Sequence, residues 1–236
     1  MAQKHKRNVA TLDTGTASDW NDDHITDFDN EITHDCNLVG VAITDEWDTA
    51  QTTGGAAPVI TNADNHVWVN LSTGATTDQT SCMRHEMGGA VGNITYINDY
   101  PILTMAMRLE AFHTAGEVFE FGLIPSATAE FTANQDGAYF RVKDNKLYAV
   151  CGDGAAETEE EIAAVSLNQD KYMHMRIELS ATQAKFYVDE METAKKILTT
   201  NLPDADLTIK MHAQSKNNVD TILKSDGISL SRLRVH

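Results

Sequence analysis

Glu46-Trp47-Asp48 is the first stretch whose residue types and spacing suggest chemistry. On an extended strand alternate residues share a face, so Glu46 and Asp48 would stand side by side. Two carboxyl groups ~5 Å apart are what retaining glycoside hydrolysis needs, one as acid and one as nucleophile. No second glutamate stands in register, because Gln51 takes that place. No catalytic residue is assigned, and the chain is not expected to be an enzyme.

Other chemistry-bearing groups also lack partners at the spacing they need. Cys82 and His85 lie three residues apart, but no second pair follows at zinc spacing and no His-Glu-x-x-His occurs. Asp19, Asp22 and Asp23 carry oxygen donors for a divalent cation. The alternating Asp/Asn loop with its glycine and closing glutamate is missing, so a solvated acidic segment is the better reading. No metal or cofactor site is assigned. Trp47, Trp68, Tyr96 and Tyr100 could stack on a sugar, since amphipathic rings suit saccharide faces, and Trp47 and Trp68 are taken as the candidate glycan contacts. Ordinary core and edge packing is the competing reading. Asn70-Leu71-Ser72 and Asn93-Ile94-Thr95 match a glycosylation pattern that is common by chance.

Charge narrows the field further. The net charge is −17, and only Lys4, Lys6 and Arg7 are basic before Arg84. Thirteen acidic residues lie between Arg7 and Arg84. Such a surface repels nucleic acid. No apolar run approaches the ~18 residues of a membrane span. The basic N-terminus has no apolar stretch behind it and does not read as a secretory signal. Cys36, Cys82 and Cys151 are scattered and odd in number, which is no disulfide framework. Buried thiols and cytoplasmic synthesis follow.

The elements that would position these groups are strands. Gly137–Val142 and Lys146–Val150 flank a turn at Asp144-Asn145, and Met173–Leu179 and Ala184–Asp189 flank Ser180-Ala181-Thr182. Apolar and polar residues alternate in each, so two successive antiparallel hairpins with one dry face are expected. Further strands are expected at Asn65–Leu71, Ser81–Met87, Leu207–Ala213 and Gly227–Val235, the last with a bulge near Ser231. Ile102–Phe112 should pair with Glu117–Ile124 across His113–Gly116. Glu159–Val165 reads equally as a helical insert or as a charged loop entering a strand. The paired methionines Met105/Met107 and Met173/Met175 read as core filler. Ten to twelve short strands without a repeat make an all-β sandwich of two facing sheets.

Residues 1–37 read as an extended assembly arm and 38–236 as the body. The arm is rich in Thr, Asp and Asn, with Trp20 and Phe28 as its large apolar anchors and Lys4, Lys6 and Arg7 at its tip. Alone it could not bury enough apolar surface to offset its ordering entropy. Deleting 1–37 is expected to leave a folded body that no longer assembles.

Phe186-Tyr187-Val188-Asp189, with Asp170–Glu178 before it, resembles the concanavalin-like or laminin-G-like jelly roll. Asp136–Arg141 through Gly227–Leu230 is similar to modules of structural proteins of tailed bacteriophages and archaeal viruses, and Ala17–His24 looks like segments near the N-termini of virion proteins. The resemblance implies an antiparallel jelly-roll β-sandwich. It also implies a virion structural protein, made in the host cytoplasm, that decorates a capsid or forms part of a tail or fibre. Its partners would be other virion proteins and copies of itself in a homo-oligomer. The alternative is a carbohydrate-binding adhesin that attaches to a host-surface glycan.

Overall fold

The computed structural model describes residues 31–36, 47–51, 56–63, 66–74, 76–85, 95, 97–111, 118–125, 134–165, 167, 171–215 and 222–233. Lys4, Lys6, Arg7, Trp20 and Phe28 lie outside them, as does Leu38–Ile43. In chain order the strands are β1 (Glu31–Cys36), β2 (Trp47–Gln51), β3 (Val59–Ala63), β4 (His66–Ser72), β5 (Thr80–His85), β6 (Ile102–Ala111), β7 (Val118–Ile124) and β8 (Gly137–Lys143). Then come β9 (Lys146–Gly152), β10 (Glu157–Glu161), β11 (Met173–Ser180), β12 (Gln183–Val188), β13 (Lys196–Leu198), β14 (Thr208–Gln214) and β15 (Ile222–Leu233). A 3-10 turn at Ile97–Asp99 is the one helical element among the described residues.

The strands form two antiparallel sheets. One has eight strands in the order β13-β12-β11-β6-β15-β4-β3, with β1 also on β15. The other has seven, in the order β10-β9-β8-β7-β14-β5-β2. The two expected hairpins form as read, one in each sheet. Asp144 and Asn145 both have positive φ, which gives the two-residue turn that matches strand twist. Their dry faces meet: Phe140 of β8 packs edge-on against Phe186 of β12, ring centres 5.2 Å apart. Met105, Met107, Met173 and Met175 are all buried in this core.

Several expectations change. β6 and β7 do not pair. β6 lies between β11 and β15 in one sheet, and β7 between β8 and β14 in the other. The chain crosses between layers there, because each strand buries its apolar face against the opposite sheet. Glu157–Glu161 is strand β10 rather than a helical turn, since it bonds along the edge of β9. In β15 the register slips between Asp226 and Ser229, earlier than expected, where Gly227 adopts φ +60°. Glycine takes that conformation without a Cβ penalty, so the bulge settles on it and not at Ser231.

The sandwich also reaches into the segment read as arm. β1 bonds to β15 from Glu31↔Leu233 to Cys36↔Ile228, lying end to end with β4 along the same side. A chain starting at residue 31 keeps β1 whole. One starting at residue 37 loses β1 and leaves half of β15 bonded on one side only, and should melt lower by about 5 °C or more. Equal melting temperatures for the two truncations would show that β1 adds nothing to the sheet.

Candidate functional site

The seven-stranded sheet turns Phe119, Phe121, Phe140, Ile209 and Met211 inward. Alternation then sends Glu120, Arg141, Lys210 and His212 to its other face. Register aligns them. Cys82 stands opposite His212, His212 opposite Glu120, Glu120 opposite Arg141, and Arg141 opposite Tyr148. One row of polar groups therefore crosses five strands. A second row runs Arg84, Lys210, Gly122, Tyr139. At Gly122 a Cβ would fall 2.5 Å from the Cα of Tyr139, so only glycine allows β7 and β8 to approach this closely.

Arg141 is the hub. Its Nε donates to Glu120 Oε1 at 2.5 Å and its Nη1 to Glu157 Oε1 and Glu159 Oε2, each at 2.6 Å. Nη2 donates to the Tyr139 hydroxyl at 3.1 Å, and that hydroxyl donates to Glu157 Oε2 at 2.7 Å. Glu120 Oε2 also lies 3.5 Å from His212 Nδ1, and Lys143 pairs with Glu159. Burial works against the Arg141 charge, but Glu157, Glu120 and Glu159 outweigh it and hold the guanidinium well above its ordinary pKa. Burial, with Glu120 and Glu157, keeps the Tyr139 phenol protonated. Burial also works to raise Glu157. The hydrogen bonds from Arg141 and Tyr139 prevail and hold its carboxyl below the usual range.

Depth sets this face apart. Lys210 is 0% exposed, His212 3% and Glu120 4%. The outer face of the eight-stranded sheet is also charged, and buried at Lys224, but it lies closer to water around Arg176. There Arg176 stacks on Tyr187 at 3.9 Å and pairs with Glu178, with both charged side chains about a quarter exposed.

The two tryptophans read as glycan contacts are not brought together. Trp47 belongs to the core, 5% exposed and edge-on to His85 at 5.1 Å, because alternation along β2 turns it inward. It presents no open ring to a sugar. Trp68 is on the other sheet, half-buried, with the Lys224 ammonium 4.9 Å from its ring centre. Glu46 lies outside the described residues, and Asp48 stands opposite Arg84 in the backbone register. Cys82 and Cys151 are both buried. Burial pushes the Cys151 thiol up to about 12, which makes it inert. The deep polar row was missed in the sequence. Its only trace was charged residues set between large apolar ones, as in Phe119-Glu120-Phe121, a pattern shared with any solvated face.

Fold and site together define a concanavalin-like jelly-roll β-sandwich with a buried polar row on the outer face of one sheet. No family model and no characterised relative matches the sequence. Solved structures match it along most of its length. A Bacillus licheniformis beta-glucanase is 15% identical with a TM-score of 0.58, covering 87% of this chain and 99% of that one. The VIP36 exoplasmic/lumenal domain, bound to Ca2+ and Man3GlcNAc, is 13% identical with a TM-score of 0.56, over 84% and 87%. The Emp47p carbohydrate recognition domain is 10% identical with a TM-score of 0.58, over 86% and 95%. At these identities the likeness is one of fold. The fold is thus shared by enzymes and lectins, and nothing in these comparisons links the chain to virus particles.

Proposed function

We propose that this chain binds carbohydrate on the outer polar face of the seven-stranded sheet. The observation that supports it is the burial of Lys210, His212 and Glu120 on a face turned away from the core. Burying such groups is costly unless they are held by partners, and a convergent set of perturbed polar groups is a candidate functional site. The named activities of the fold's relatives, a carbohydrate recognition domain among them, agree with a saccharide ligand. Binding is favoured over hydrolysis. Glu120, Glu157 and Glu159 all serve Arg141, and a depressed pKa at Glu157 suits an acceptor and not a general acid. Such a module fits the alternative role, an adhesin that attaches to a host-surface glycan.

The test is a glycan array probed with the full-length protein. Specific binding is expected, weakened roughly tenfold by Tyr148→Ala or Lys143→Ala, the half-buried residues at the margin of the row. Loss on Trp68→Ala instead would move the site to the eight-stranded sheet and overturn the assignment. So would the absence of binding to any saccharide.

A further inference from the structure

We infer that β10 is an acid-released latch: an edge strand fastened to the sandwich by ion pairs, which lifts from β9 as a unit when its glutamates are protonated and before the rest of the fold gives way. β10 closes one side of the seven-stranded sheet, and among the described residues its ladder runs only to β9. Its sequence, Glu157-Thr158-Glu159-Glu160-Glu161, has no apolar side chain, and glutamate is among the residues that strands disfavour. None of the five is buried. The first apolar anchor is Ile162, just past the end of the strand, which lies in the core with its amide on the Leu147 carbonyl.

What fastens β10 is charge. On its outer side Glu157 accepts from Arg141 and from the Tyr139 hydroxyl, and Glu159 pairs with Arg141 at 2.6 Å and Lys143 at 2.5 Å. Glu161 pairs with Lys146 of β9 at 2.7 Å. On the opposite side Glu160 reaches Lys196 of β13 at 3.0 Å, and the Thr158 hydroxyl meets Thr200 and Asn201. β10 thereby ties the two sheets together along this edge. The other titratable groups packed here are Tyr148 of β9, under Lys143, and Glu120 of β7, which shares Arg141. Asp153 stands in the turn before β10 and accepts the Ala155 and Ala156 amides.

Each of these pairs requires an ionised carboxylate, and Glu157 gives the sign. Burial works to raise it, but the hydrogen bonds from Arg141 and Tyr139 hold its carboxyl below the ordinary range. In a released strand the carboxyl returns to its ordinary value, so release is favoured as pH falls below that value and on through the folded one. Asp153 acts in the same direction, because the Ala156 and Ala155 amides hold its carboxyl low in the formed turn. Once the glutamates are neutral, the β9 ladder holds a strand with no apolar side chain of its own. Such an edge opens at less cost than the core strands.

The experiment is hydrogen exchange on the full chain, read peptide by peptide and corrected for the intrinsic rate at each pH. Protection of the peptide spanning β10 is expected to fall roughly tenfold between pH 7 and about pH 3.5, while the β11–β12 hairpin keeps its own. Glu157→Gln combined with Glu159→Gln imitates protonation, and should lower β10 protection at pH 7 to a level that acid then changes little. Unchanged β10 protection in the acidified wild type overturns the inference. So does a parallel loss from β10 and the β11–β12 hairpin, which is the signature of global unfolding. A double variant that keeps the wild-type pH profile overturns the role of those two carboxylates.

Discussion

Replacing Arg141 by methionine is expected to destabilise the protein by about 3–5 kcal/mol at neutral pH, the usual cost of removing one partner from a buried ionic cluster. Methionine keeps the length of the side chain but leaves Glu120, Glu157 and Glu159 facing one another, with Lys143 and His212 beside them among the described residues. The Tyr139 hydroxyl also loses a donor. Urea unfolding at several pH values is the measurement. The sign follows from Glu157, whose folded pKa lies below its ordinary value. A depressed carboxylate stabilises the fold above its unfolded pKa, and that contribution is lost as pH falls through the folded value. The gap between wild type and Arg141→Met should therefore be widest at neutral pH and narrow in acid. A gap that is small at pH 7, or that widens in acid, would show that Arg141 does not hold these carboxylates.

Phe140→Ala is expected to cost a similar amount, about 3–5 kcal/mol, for a different reason. Phe140 is fully buried, stacked beside Phe121 at 5.5 Å within its own sheet and edge-on to Phe186 in the other. Truncation removes apolar contact and opens a cavity between two sheets that cannot both close on it. Phe140→Leu keeps most of the volume and should cost about 1–2 kcal/mol. Both values come from the shift of the urea midpoint at constant slope. A cost below about 1 kcal/mol for the alanine variant would mean that the core collapses to fill the gap.

These two residues are immediate neighbours on one strand, yet they were not equally legible. Phe140 was visible as core because it sits at an inward position of a clean alternation, and the turn at Asp144-Asn145 fixed its register. Arg141 was visible only as the next outward residue. That it gathers Glu120 from β7 and Glu157 and Glu159 from β10 depends on strands 21, 16 and 18 residues away in sequence. The same limit explains the mistaken pairing of β6 with β7. A strand, a short polar loop and a second strand look alike whether the chain turns back within a sheet or crosses to the facing one. Tryptophan misled for a related reason: its ring suits a sugar or a core equally, and at Trp47 burial decided.

The resemblance carried by Phe186-Tyr187-Val188-Asp189 has a physical basis in the fold. Phe186 and Val188 point into the core, and Tyr187 lies under Arg176 on the outer face. Asp189 takes φ +58° and accepts the His174 amide, closing the end of the β11–β12 pair. Each residue type matches one local demand, which is why a short stretch could signal the jelly roll.

By itself, then, the sequence determined the all-β class, the two hairpins and the dry faces that make a sandwich, because alternation and turn chemistry are local. Only the tertiary structure decided which sheet each strand joins, that β1 belongs to the body, and that the polar groups of β5, β14, β7, β8 and β10 share one outer face. Those outcomes depend on register between strands far apart in the chain, and register is set by packing the whole core at once.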